Sequence, residues 1–512
     1  MKNILRNLII VCLLVAAVIV TPKVFATIAD SDATGSIEVN GLESGVTATA
    51  YRLMTVNIND GQPQDPVYTW VESVANWMKG NDTYKNWVGE NNAVADSFNS
   101  SLTDSADLAK FYDDLAKEIR RTGSSITGLT TASATAGSDN KATITPVKMG
   151  NYLVLMENGL RVYKPLSANV VPKNTNGEWN IENGVIETTR VEAKSSKPTI
   201  VKTVEGDKTV AIGDVLTYTL TIDVPKYPEG TTNKTLNVGD VFSSGLDFVE
   251  IVSVYADDDA TKTLTKGTNY TVTEPTAANG RKLTIDFGGD LYASNAGYNK
   301  IIVTYKAKVN SEAKVTQGED NTATLTYNTN PYGNNEEKPK SKVTVYTYGL
   351  DLLKTGVGDD ANGLAGAEFE LAKGSTKLCF TKNSENVFVY AGEATDGTCE
   401  NGSTTLVSQS DGKIKVNGLD TGTYTLTETK APNDYVKLQG PKTYKIEDKE
   451  PDGKEDHSTT GYVTDTIANK KGITLPITGG IGTLLFSVIG ILFMGISVFL
   501  VRNILKKKEV QL

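Results

Sequence analysis

The sequence predicts a mainly β chain built of tandem β-sandwich domains, the first of them with helical insertions. Its 512 residues are 39% hydrophobic and 22% charged, a balance typical of folded globular domains. Thr, Tyr, Val, Gly and Asn are abundant, which favours short strands joined by turns. Runs such as 215–222 and 300–305 alternate apolar and polar residues, as half-buried strands do.

Net charge and motif content exclude several classes of function. The formal net charge is −10, and no basic cluster is present, so we expect no nucleic-acid partner. The chain has one His, no nucleophile elbow and no metal-ligand spacing, which disfavours an enzyme. We therefore expect no cofactor and no metal.

The N-terminus has the pattern of a signal peptide, residues 1–26. Lys2 and Arg6 precede an apolar run over 8–20, and the small-residue cleavage site ends at Ala26. The mature chain should begin near Thr27 and lie outside the cell.

The C-terminus has the pattern of a membrane anchor. Residues 481–501 form an uncharged apolar run, which as a helix is long enough to cross a bilayer core of roughly 30 Å. The basic tail, 502–512, follows directly and should stay on the cytoplasmic side.

A five-residue motif precedes the apolar run and resembles the Leu-Pro-x-Thr-Gly sorting signal of Gram-positive wall-anchored proteins. The motif is Leu475, Pro476, Ile477, Thr478 and Gly479. The resemblance implies that a sortase attacks the carbonyl of Thr478, releases the tail from Gly479 onward and passes the acyl group to an amine. The expected location is the cell wall, with peptidoglycan as a partner.

Three domains are expected between these ends: 27–195, 196–346 and 347–473. Short polar linkers containing Pro separate them, at 195–198 and 338–340. Within the first, Asp104 should cap a helix with one apolar face, which we interpret as core packing. That face consists of Leu108, Phe111, Tyr112, Leu115 and Ile119.

The third domain resembles the Cna B-type domains, immunoglobulin-like β-sandwiches that form an internal isopeptide bond. The resemblance is carried by the segments 349–355, 424–432 and 467–472, which match the first strand, the E-box and the last strand. It implies that Lys354 is the nucleophile, Asn469 the amide acceptor and Glu428 the promoting carboxyl group.

This chemistry needs an apolar surrounding. Burial lowers the pKa of a lysine and raises that of a glutamic acid, so the pair can exist as neutral amine and neutral acid. The amine then attacks the asparagine amide, and ammonia leaves. Since the fold holds the groups in place, the reaction proceeds once without a cofactor.

The second domain is similar to Cna A-type pilin domains in the segments 198–204, 238–246 and 321–327. The resemblance implies a bond between Lys202 and Asn321 promoted by Asp240. The first domain differs, because its opening strand has no lysine and Met156 stands where the E-box has Glu. We predict no isopeptide bond there.

The resemblance as a whole is to sortase-assembled backbone pilins, so the expected function is the shaft subunit of a pilus. Its partners would be sortase, other copies of itself and accessory pilins. A monomeric wall-anchored adhesin that binds a host ligand is the alternative. A shaft subunit needs an acceptor lysine, and Lys194 is favoured over Lys173, although neither matches the pilin motif fully.

Two cysteines remain after signal cleavage, Cys379 and Cys399. An extracellular location permits a disulfide between them, which would staple a hairpin of the third domain. Two free thiols are the alternative.

Overall fold

The computed structural model describes most of the mature chain and the C-terminal helix. The described residues are 33–59, 62–101, 105–175, 178–180, 186–228, 231–288, 291, 297–315, 317–448, 461–472 and 481–509. The signal peptide, Asp104 and the sorting signal at 475–479 lie outside them. The mainly β class with helices in the first domain is confirmed.

Contacts divide the chain into two compact units. One comprises 1–208, 215–308 and 319–344, and the other comprises 209–214, 309–318 and 345–512. The predicted domains 27–195, 196–346 and 347–473 are called the first, middle and third segments, and their boundaries stay predictions.

The first segment contains short strands and three α-helices, with 3-10 turns at Lys85–Trp87 and Glu90–Asn92. The elements are β1 (Thr34–Asn40), β2 (Thr47–Asn59), β3 (Gln62–Trp70), α1 (Glu72–Lys79), α2 (Asp96–Ser101), α3 (Ser105–Arg120), β4 (Thr131–Thr135), β5 (Lys141–Lys148), β6 (Gly150–Glu157), β7 (Val162–Tyr163), β8 (Leu166–Val170), β9 (Lys173–Thr175), β10 (Glu178–Asn180), β11 (Thr189–Glu192) and β12 (Ser195–Ser196).

Two apolar cores meet at β6, which is buried on both faces. Tyr152 and Val154 pack into the core between the sheets β11-β1-β5 and β3-β2-β6-β8. Leu153 and Leu155 point the other way and pack against the helices, where Phe111 of α3 is fully buried. The helical layer therefore explains why β6 is an unbroken apolar run rather than an alternating one.

The middle segment is a sandwich of two mainly antiparallel sheets. One sheet has the order β13-β14-β20-β16-β17, and the other has the order β18-β19-β15-β21-β22 with β23 also paired to β21. The strands are β13 (Ile200–Val204), β14 (Val215–Asp223), β15 (Leu236–Phe242), β16 (Leu246–Ala256), β17 (Asp259–Thr263), β18 (Tyr270–Thr273), β19 (Lys282–Phe287), β20 (Lys300–Val309), β21 (Glu319–Asn328), β22 (Glu336–Glu337) and β23 (Lys340–Val345).

The third segment has the strand order β25-β24-β30-β28-β27-β26-β31-β32, with β29 on β26 and β33 on β24. Its first and last strands, β24 and β33, pair in parallel. The strands are β24 (Tyr348–Gly356), β25 (Asp359–Gly363), β26 (Glu368–Lys373), β27 (Thr376–Lys382), β28 (Phe388–Glu393), β29 (Thr405–Val407), β30 (Lys413–Leu419), β31 (Gly422–Lys430), β32 (Lys442–Ile446) and β33 (Tyr462–Asn469).

A single long helix, α4 (Ile481–Glu509), follows at the C-terminus. Its segment Leu484–Leu505 has a mean hydropathy of 2.7 and is long and apolar enough to cross a membrane. Arg502, expected in the basic tail, continues the same helix.

Cys379 and Cys399 form a disulfide. Cys379 lies in β27, whereas Cys399 lies in the loop after β28, so the bridge ties that loop to the hairpin rather than joining its two strands.

Removing this disulfide should destabilise the third segment. The cysteines are 20 residues apart, and closing a loop of about that length stabilises by about 3 kcal/mol in the chain-entropy model. We expect C379A/C399A to lower the corresponding calorimetric transition, and reduced wild-type protein to show the same shift. Equal transitions in oxidised, reduced and variant protein would contradict this.

Candidate functional site

The predicted bond-forming residues lie on the inward-facing rows of their strands. In β24, the buried Leu350, Leu352 and Lys354 alternate with the half-buried residues 351 and 353, so Lys354 stands where the next apolar side chain would be. Glu428 of β31 and Asn469 of β33 occupy equivalent inward places. The alternation that builds the core thus also brings polar groups into it.

These three residues form a buried cluster in the third segment. Lys354, Glu428 and Asn469 are 0%, 2% and 1% exposed. The Asn469 Nδ2 donates to the two Glu428 carboxylate oxygens at 2.8 and 2.9 Å, and the Lys354 Nζ donates to the carbonyl of Ile467 at 2.9 Å. Parallel pairing sets Lys354 opposite Ile467, two residues before Asn469.

The cluster makes the Lys354 ammonium easier to deprotonate. Burial lowers the pKa of Lys354 to about 8, against the opposing effect of the Glu428 carboxylate. The Asn469 Oδ1 is buried and has no hydrogen-bond partner among the described residues. A neutral amine and a carbonyl oxygen able to take on charge are the two groups that amide formation requires.

A second cluster lies inside the sandwich of the middle segment. The Lys202 Nζ donates to both Asp240 oxygens at 2.6 Å, and the two side chains are completely buried. Asn321, also 0% exposed, lies on β21 in the opposite sheet from Lys202 on β13. Burial lowers the pKa of Lys202 to about 8, although Asp240 acts to raise it.

Tyr305 is part of this second cluster, and the sequence interpretation did not include it. Its hydroxyl accepts from the Lys202 Nζ at 2.6 Å and from the Asn321 Nδ2 at 2.7 Å, and it donates to Asp240 Oδ2 at 2.6 Å. The signal available in the sequence was the inward position of Tyr305 in the alternating strand 300–309.

The described residues of the first segment form no comparable cluster. Its strands β1 and β11 pair in parallel, as β24 and β33 do, but the inward places hold Ile37, Val39 and Val191. Met156 packs in the same apolar core. Apolar side chains thus occupy the places that carry polar groups in the third segment.

The two acceptor candidates lie in different surroundings. Lys194 is exposed, between β11 and β12, and its backbone carbonyl accepts from the Lys164 N–H at 2.9 Å. No described residue forms a hydrogen bond or ion pair with its ammonium group. Lys173 begins β9, a strand paired only with β10 among the described elements. Thr478 lies outside the described residues.

Metal binding receives no support from the described side chains, since no three or more His, Cys, Asp or Glu among them are grouped to hold an ion.

Three family models match the chain. Residues 212–331 match the Gram-positive pilin backbone subunit 2, Cna-B-like domain, residues 350–459 a prealbumin-like fold domain, and residues 467–511 the LPXTG cell wall anchor motif. The chain has the domains of a sortase-assembled backbone pilin. The family model that matches the middle segment is a Cna-B-like domain. The sequence motifs of this segment resemble the Cna A-type instead.

The chain is also similar to known surface proteins and pilin structures. The trypsin-resistant surface T6 protein of Streptococcus pyogenes serotype M6 is 26% identical over 425 residues, which is 67% of this chain and 76% of the relative. The T6 backbone pilin structure of serotype M6 has a TM-score of 0.59 at 18% identity, covering 86% of this chain and 99% of that one. The major pilin SpaD from Corynebacterium diphtheriae has a TM-score of 0.49 at 20% identity, covering 86% and 97%.

The depressed pKa of Lys354 should be measurable in a protein that cannot react. In N469A, the unfolded chain binds more protons than the native one between about pH 8 and the ordinary lysine pKa of 10.5. Stability should therefore rise with pH across that window.

Calorimetry of the third-segment transition at several pH values measures this slope, with N469A/K354M as the control for other titrating groups. A slope equal in the two variants would contradict a depressed pKa at Lys354.

Proposed function

We propose that the chain is the shaft subunit of a covalently polymerised pilus. Sortase would join Thr478 of one copy to a lysine of the next, so that the copies run head to tail. The observation that carries this proposal is the match of residues 212–331 to the backbone-pilin domain. The anchor match at 467–511 supports wall attachment of the assembled fibre to peptidoglycan, and accessory pilins would use the same linkage.

Lys194 is the acceptor that the surroundings favour. Acyl transfer from a sortase needs an amine that an enzyme can approach, and Lys194 is exposed and unpaired among the described side chains. Its backbone is also held in place, since β12 pairs with β7 through Ser195 and Tyr163 immediately after it. An exposed side chain on a fixed backbone suits a linkage that must have one geometry.

The two buried clusters would form isopeptide bonds by themselves, one between Lys354 and Asn469 and one between Lys202 and Asn321. The first would join neighbouring parallel strands, and the second would join the two sheets of the middle sandwich. By analogy with disulfides, closing a loop of roughly 100 residues stabilises by about 5 kcal/mol. This is self-modification without turnover.

Polymerisation should depend on one lysine. When the pilin is coexpressed with its sortase, K194R should lose the ladder of SDS-resistant polymers, because a guanidinium stays protonated and cannot attack an acyl group. K173R is the matched control and should keep the ladder. A branched peptide joining Thr478 to Lys194 is expected by mass spectrometry.

The reverse pattern, with the ladder lost in K173R and kept in K194R, would assign the linkage to Lys173. A wild-type protein that gives only a monomer band in the presence of its sortase would contradict the shaft proposal and favour a monomeric adhesin that binds a host ligand.

Each internal bond should remove one ammonia from the mass of the mature chain. With the disulfide reduced, we expect wild-type protein to be lighter than its sequence by two ammonia molecules, and N469A and N321A each to lack one of these losses. E428A and D240A should behave as the matching asparagine variants do. Wild-type protein at its full sequence mass would contradict both bonds.

A further inference from the structure

The two clusters differ in how the carboxylate reaches the asparagine. In the third segment, Glu428 accepts directly from the Asn469 Nδ2 at 2.8 and 2.9 Å. In the middle segment no described hydrogen bond joins Asp240 to Asn321. The Tyr305 hydroxyl connects them instead, at 2.6 Å from Asp240 Oδ2 and 2.7 Å from Asn321 Nδ2.

The difference follows from side-chain length. Aspartate is one methylene shorter than glutamate, and Asp240 uses its two oxygens to hold the Lys202 Nζ at 2.6 Å. A hydroxyl between the acid and the amide spans the remaining distance. The third segment, with the longer Glu428, makes the contact without one.

Packing fixes the position of this hydroxyl. Tyr305 is 0% exposed, and its ring stacks on Tyr218 with centroids 5.4 Å apart and an angle of 12° between the planes. Phe242 meets the ring edge-on at 5.9 Å. An aromatic side chain held on two sides keeps its hydroxyl at one point, as a proton-transfer group must be.

We propose that Tyr305 is a catalytic proton relay between Asp240 and the leaving amide nitrogen of Asn321. The inference rests on the proposed bond between Lys202 and Asn321 and adds a fourth group to its chemistry.

The Lys202 ammonium gives one proton to Asp240, and the neutral Nζ attacks the Asn321 Cγ, moving the carbonyl π electrons onto Oδ1. Asp240 gives its proton to the Tyr305 oxygen while the Tyr305 hydroxyl proton passes to Nδ2. The Cγ–Nδ2 bond breaks, its electron pair leaves with the nitrogen, and the carbonyl re-forms. Asp240 takes the second Nζ proton and passes it to the departing ammonia, which leaves as ammonium.

Without the relay, Asp240 could not pass its proton to Nδ2, because no described hydrogen bond joins the two groups. Amide nitrogen is a poor leaving group unless it is protonated, so loss of the hydroxyl should slow the bond itself. A positioned proton donor typically contributes about 100-fold or more in rate.

The test is a time course of bond formation in the full mature chain made by cell-free synthesis, followed by mass spectrometry of the two branched peptides. We expect Y305F to form the bond between Lys202 and Asn321 about 100-fold more slowly than wild type. The bond between Lys354 and Asn469 in the same molecules should form at the wild-type rate, and it serves as an internal control for folding.

Y270F is the matched control, since it removes a hydroxyl from β18 of the same segment and should leave both bonds at wild-type rate. The double variant Y305F/D240E separates a relay from a packing role. Its longer acid can reach Asn321 directly, as Glu428 reaches Asn469, and should recover at least about 10-fold of the lost rate.

Y305F that forms the middle bond at the wild-type rate would overturn the relay, and so would a double variant as slow as Y305F with an unchanged circular dichroism spectrum. Wild-type protein that lacks the middle bond would instead overturn the proposed bond, so the two failures are distinguishable.

Discussion

The burial of a lysine amine together with a carboxyl group is the constraint around which the middle and third segments are arranged. Removing two ions from water costs several kcal/mol per ion unless they are paired and hydrogen-bonded. Lys202 and Asp240 are completely buried and in contact at 2.6 Å, while Lys354 donates to backbone carbonyls beside Glu428. These groups are kept away from water and close to an asparagine by the strand register, by the inward-facing side chains of the strands and by the aromatic packing around Lys202. The same burial lowers the pKa of each lysine to about 8.

The third and middle segments bring the lysine, the acid and the asparagine together in different ways. In the third segment the lysine and asparagine lie on adjacent parallel strands, and one long carboxyl side chain reaches the amide. In the middle segment the corresponding residues face each other across a sandwich, and the shorter Asp240 needs the Tyr305 hydroxyl beside it. The choice between Asp and Glu therefore goes with the way the strands pair. The sheet geometry sets the distance between the carboxyl group and the asparagine amide that the side chains must span.

Much of this could be predicted from the sequence, because strand alternation and short motifs are local. The mainly β class, the apolar face of α3 and the wall anchor are confirmed. The motifs also named the six residues that the structure brings together in the two clusters. Tyr305 was missed because its role depends on contacts across two sheets, which no local pattern encodes. Burial of β6 on both faces depends likewise on helices distant in sequence, and the loop position of Cys399 depends on where β28 ends.

The position of Lys194 has a mechanical consequence. In a fibre linked through Lys194 and Thr478, tension enters each copy at residue 194 and leaves near its C-terminal end, so that it passes through the middle and third segments in series. The residues before 194 lie outside the stretch of chain between the two linked residues. Noncovalent packing is sufficient for a part that carries no tension, which accounts for the apolar Ile37 and Val39 where the third segment holds a buried lysine. Resistance to pulling would then be required only of the chain between the two linked residues.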